Sequence, residues 1–117
     1  MSTKQKILKC SDTRTMPFSV PEWGLELHLR TLSGAEWSSV LSKIVELEKK
    51  GKGLDSNTMI CLHCLSEPNG SRIFADNDFD ALASKDGAVL NRIAQAAAVF
   101  AGLRGEPEKK SSSVNPG

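Results

Sequence analysis

Apolar positions first recur with a period of two. Leu25, Leu27 and Leu29 alternate with Glu26, His28 and Arg30, and Phe18 and Val20 alternate with polar neighbours. This spacing marks strands with one buried face. Between them lies Pro21-Glu22-Trp23-Gly24, in which Pro fixes φ and Gly permits a positive φ. The pattern predicts a β-hairpin over 16–32.

The period then becomes helical. Ser33-Gly34-Ala35-Glu36 reads as a capping box: the Ser33 hydroxyl accepts from the Glu36 N–H while the Glu36 side chain reaches back. Leu32 and Trp37 take the flanking staple positions, which gives Trp37 a structural role beside Trp23 in the hairpin turn. Trp37, Val40, Leu41, Ile44 and Leu47 form an apolar stripe on a helix over about 34–50, closed by Gly51. A second helix is expected at 57–65, capped by Asp55 or Ser56 and carrying Met59, Ile60 and Leu62. Ser66-Glu67-Pro68-Asn69-Gly70 is a turn signal, and Arg72-Ile73-Phe74 a short extended piece. A short helix over 77–83 is expected behind Asp76 as its cap. A last helix over 88–101 places Val89, Ile93, Ala97 and Phe100 on one stripe and ends at Gly102. The fold class expected is mainly α: one small helical domain over 16–103 with an N-terminal β-hairpin. Residues 1–15 read as a flexible start and 104–117 as a disordered tail rich in Lys, Ser, Pro and Gly.

Composition narrows the function. The chain has 117 residues, enough for one domain with a modest core. Its net charge is +1, so nothing in the balance demands a polyanion or a membrane surface. Aromatic residues are 5% of the chain, thin for a base-stacking platform. No apolar run approaches the ~20 residues of a membrane-spanning helix. The basic, polar first residues lack an apolar signal core, and the cysteine count of three is odd. A reducing cytoplasm is the expected compartment.

The motifs that could carry chemistry are incomplete. Cys61-Leu62-His63-Cys64 offers a CxxC pair, but only Cys10, His28 and His63 remain to complete a zinc site. The i, i+3 cysteines read instead as small core residues on one helix face. Asp76, Asp78 and Asp80 imitate a calcium loop, yet Ala81 stands where Gly is needed and Gly87 where Glu is needed. Asp78 to Ala96 can pass for a helix-turn-helix, the alternative reading as a small DNA-binding regulator. Its second helix carries Arg92 as its one cation, a poor footprint for phosphate contacts. No nucleophile with a base, and no phosphate-cradling loop, is present. The chain is expected not to be an enzyme and to need no cofactor or metal.

The order of motifs resembles one family. Lys6-Ile7-Leu8 precedes Val20-Pro21-Glu22-Trp23-Gly24; an extended segment leads into Thr31-Leu32-Ser33-Gly34-Ala35-Glu36. Cys64-Leu65-Ser66-Glu67, Asn69-Gly70 with Arg72-Ile73-Phe74, and Asp76-Asn77-Asp78-Phe79-Asp80-Ala81-Leu82 follow, before a helix centred on Leu90. Over about residues 4–110 this series is similar to the tail assembly chaperones of long-tailed, non-contractile phages and their prophages. His28 and the CxxC pair depart from what the family shares. The resemblance implies a mainly helical fold, binding to the tape measure protein, delivery of tail tube protein to it, and self-association. It implies action in the host cytoplasm and absence from the mature virion. It also implies a longer frameshifted product, for which Lys109-Lys110 is the candidate slippage point.

A chaperone for a long, apolar-faced protein should present amphipathic helices with spare apolar surface. The candidate protein-binding residues are Val40, Ile44 and Val45 on the first long helix, with Val45 off the main stripe. On the Ala-rich last helix they are Ile93, Ala97 and Phe100, where small neighbours allow close approach.

Overall fold

The structure is a computed structural model and describes residues 2–104. The tail expected from Arg104 onward, and the frameshift reading at Lys109-Lys110, lie outside the described residues except for Arg104 itself.

The period-two segments form the expected hairpin. Strand β1 (Thr15–Val20) pairs antiparallel with β2 (Leu25–Arg30), setting Met16 opposite Leu29, Phe18 opposite Leu27 and Val20 opposite Leu25. Cross-strand apolar pairs on one face therefore fix the register. The chain turns through a single 3-10 turn at Pro21–Trp23, and Gly24 takes a φ of 66° that favours glycine. A third strand, β3 (Leu65–Ser66), lies antiparallel on the other side of β2, giving the order β1-β2-β3. This corrects the expected helix end at Leu65 and turn at Ser66. Two residues are too few to show an alternation. The extended piece at Arg72 contributes one bridge, to Ser66.

Among the described residues there are five α-helices: α1 (Thr3–Lys9), α2 (Gly34–Lys49), α3 (Asp55–Cys64), α4 (Phe79–Ala83) and α5 (Gly87–Phe100). The mainly helical class holds. Within the start expected to be flexible over 1–15, Thr3–Lys9 is helical and buries no residue. Ser2 and Gln5 form a capping box at its N-terminus, and Lys6 and Lys9 sit in its last turn.

Several caps differ from expectation. Ser33 accepts from the Glu36 N–H at 3.2 Å, but the Glu36 side chain does not reach back, so the box is half made. Neither Asp55 nor Ser56 caps α3, because the helix begins two residues earlier, behind Leu54; the Ser56 hydroxyl donates to the Gly53 carbonyl at 2.6 Å. Asp76 does not cap α4. It opens a 3-10 turn, and Asp78 accepts from the Ala75 N–H at 2.8 Å. Asp86 caps α5, accepting from the N–H groups of Ala88 and Val89. The C-terminal glycines behave as read. Gly51 and Gly102 take φ of 74° and 80°, and the next N–H in each case returns to the last helical turn, Lys52 to Leu47 and Leu103 to Ala98.

The core forms around α3, which packs against α2, α4 and α5. Every residue from Ile60 to Cys64 is buried, as are Ser56 and Thr58, so this helix faces protein on all sides. Val40 and Ile44 of α2, Leu29 of β2, Leu82 of α4 and Val89, Leu90, Ile93, Ala94, Ala97 and Ala98 of α5 close over it. No described helix is long and apolar enough to cross a membrane.

Candidate functional site

Helix α2 carries more apolar surface than one packing contact uses. At 3.6 residues per turn, the arc from Leu47 through Val40, Ile44, Trp37 and Leu41 to Val45 spans roughly 160°. A core-facing stripe needs roughly 100°. The surplus is visible. Val40 and Ile44 point into the core, while Trp37 and Leu41 are half-buried and Val45 is 44% exposed. Trp37, Leu41 and Val45 lie at i, i+4 and i+8 along an open face of about 490 Å³. Ser38, Ser42, Glu46 and Lys49 complete its lining, all of them from α2. The serines beside the stripe are small and exposed.

This corrects part of the expected surface. Val40, Ile44, Ile93 and Ala97 are buried in the chain's own core and offer little or no surface in this fold. Phe100 is partly buried against the core, with the Arg14 guanidinium 5.1 Å from its ring centre. Val45 is the candidate that stands on the surface. Trp37 and Leu41 share the helical stripe of Val40 and Ile44, yet they are only half-buried. Leu32 packs against the buried cluster, while Trp37 is half-buried. Trp23 does pack there.

A polar node fixes the start of α2. Arg30 donates from Nε to the His63 carbonyl at 2.7 Å, and Arg72 donates to the Leu62 carbonyl at 3.3 Å. Both cations thus sit on the last carbonyls of α3, where the helix dipole favours them. Glu36 binds Arg30 and also lies 2.7 Å from His63 Nδ1. These two attachments draw the Glu36 side chain away from its own N-cap. Burial alone would raise the Glu36 carboxyl; the hydrogen bonds and charges of His63 and Arg30 outweigh it and hold the carboxyl below its usual value. Asp76 receives Arg72 at 3.0 Å, which holds its carboxyl low. The node ties β2, α2, α3 and the approach to α4 together.

The other motifs are accounted for by packing. Cys61 and Cys64 are fully buried free thiols, and burial pushes both up to about 12. The Cys61 thiol donates to the Leu90 carbonyl at 3.4 Å. Among the described residues no three His, Cys, Asp or Glu side chains are grouped as a metal would require. His28 is half-buried on β2, opposite Pro17 and Ser66. Arg92, the cation on which DNA recognition would depend, is held by both Glu22 oxygens at 2.8 and 2.7 Å, and this pairing brings Glu22 down to about 2.

No family model and no curated protein matches the sequence. A solved structure does. The chain aligns with the bacteriophage HK97 tail assembly chaperone over 91% of its own length and 98% of the other's, with a TM-score of 0.61 and 24% identity. The fold is that of a phage tail assembly chaperone. The likeness extends over nearly the whole of both chains.

Proposed function

We propose that this chain is a phage tail assembly chaperone that binds the tape measure protein, helps recruit tail tube subunits to it and self-associates while doing so. It acts in the host cytoplasm, without catalysis, and does not remain in the mature virion. The observation that carries this reading is the apolar face of Trp37, Leu41 and Val45, left open on a fold shared with a tail assembly chaperone. An amphipathic helix of the client lays its apolar stripe along this face. Ser38 and Ser42 set the close approach, and Glu46 and Lys49 lie at its polar edge. The contact shields client surface that would otherwise aggregate before tube subunits cover it.

Co-purification with a phage tape measure protein tests the reading. The complex is expected to survive high ionic strength, because apolar burial is not screened by salt. Salt-sensitive binding to duplex DNA, with no capture of the tape measure protein, would favour the regulator instead.

A further inference from the structure

The hairpin leaves one edge of the sheet open. In the order β1-β2-β3, strand β1 has a neighbour on one side only. Its backbone groups divide between the two sides by alternation. The Thr31 N–H donates to the Arg14 carbonyl at 2.9 Å, and the register sets Thr15 opposite Arg30, so Arg14 and Thr31 are a hydrogen-bonded pair at the mouth of the hairpin. Counting on by twos, Met16, Phe18 and Val20 turn their N–H and C=O groups toward β2. Thr15, Pro17 and Ser19 turn theirs outward. Their side chains are exposed as well, whereas Met16 and Phe18 are half-buried and Val20 is buried.

Among the described residues no strand or side chain occupies this edge. The N–H groups of Thr15 and Ser19 meet no acceptor outside the ladder, and the arm that precedes them, from Ser2 to Arg14, is exposed throughout. A bare edge of six residues is a template for pairing with another copy. Pro17 stands at the middle one of the outward positions and has no N–H. At an inward position a proline would remove a bond to β2. At this outward one it leaves the hairpin ladder whole and takes a donor from the free edge instead.

Two copies that meet edge to edge about a two-fold axis pair their β1 strands antiparallel. The register with the longest overlap sets Pro17 against Pro17, so the central pair of bonds is missing and two carbonyls face each other. Every other register that joins more than one pair of outward β1 residues sets Pro17 against Thr15 or Ser19, and each such pair lacks one bond. We propose that Pro17 closes the free edge of β1 against strand pairing with a second copy of this chain. The self-association included in the proposed function then proceeds through other surfaces, and the closure of the edge holds whether or not that association occurs.

The test compares the wild-type chain with Pro17→Val and Pro17→Ala, which restore the donor at an exposed position. Sedimentation across a range of concentrations should show association about ten-fold tighter in Pro17→Val, because the central bonds of the longest register return. Amide exchange followed by NMR locates the contact. Thr15 and Ser19 should exchange fast in the wild-type chain at every concentration and become protected with rising concentration in Pro17→Val. The Phe18 amide, turned toward β2, should be protected in both. Moving the block along the edge, in the double variant Pro17→Val, Ser19→Pro, should return association to the wild-type level. Circular dichroism checks that each variant is folded. Association no tighter in either donor-restoring variant overturns the proposal, and so does tighter association that leaves Thr15 and Ser19 exchanging freely. Protection of these two amides when the wild-type chain self-associates overturns it too, and that measurement decides even where a variant loses the hairpin.

Discussion

Glu36 illustrates how one residue can be half legible. Its place three positions after Ser33 announced a helix start, and the Ser33 hydroxyl does cap α2. Its side chain serves another purpose because Arg30 and His63 converge on it from β2 and α3. His63 is distant in sequence, and no local spacing reports such a meeting. Glu36→Ala is expected to leave both partners short of an acceptor and to cost about 2 kcal/mol in urea unfolding. The acid response follows from the lowered carboxyl. The stabilisation is fully present above the ordinary value of 4.5 and is lost as pH falls through the lower folded value. Glu36→Gln should therefore flatten the loss of stability below about pH 4.5, as followed by unfolding midpoints across pH. The cysteines were legible from spacing alone: i, i+3 on a helix whose every later residue is apolar or inward. A thiol reagent at neutral pH should titrate one thiol in the folded chain and three after unfolding, from the exposed Cys10 and the buried Cys61 and Cys64. A chelator should leave the fold unchanged.

At the scale of elements, periodicity placed the hairpin and the two long helices close to where they lie, because each buries one continuous face. It missed elements that have no period of their own. Strand β3 is two residues long, and α1 buries nothing. It also merged the two faces of α2, since a wide apolar arc and a core stripe share their central positions. The arc's width was the available signal: Val45 extends it beyond what one contact needs. The two faces should separate on substitution. Ile44→Ala, in the core, is expected to cost about 3 kcal/mol, while Trp37→Ala should cost about 1 kcal/mol, below the range for a buried Trp. Urea unfolding of both variants checks the difference. Equal losses would return Trp37 to the core. On α5 the Ala-rich stripe is explained by contact with α3: small side chains at Ala94, Ala97 and Ala98 let the two helices approach within the core.

For the whole molecule, the order of short motifs along the chain pointed to the fold more surely than any single motif. Each motif marks a local event: a turn, a cap, a bridge, a helix end. Their sequence in the chain is the topology. The candidate surface was less legible, since apolar residues destined for a core and for a partner look alike until the neighbours are placed. Four of the six expected docking residues went to the core, and the open face came from the residues left over. That face is the centre of the functional account. It is tested most directly by the soluble fraction of the tape measure protein when co-expressed with this chain or with the double variant Leu41→Asp, Val45→Asp. The account predicts soluble client with the wild-type chain and aggregated client with the variant, whose circular dichroism and unfolding midpoint stay close to wild type. A client equally soluble with both chains, or equally aggregated with both, would contradict it.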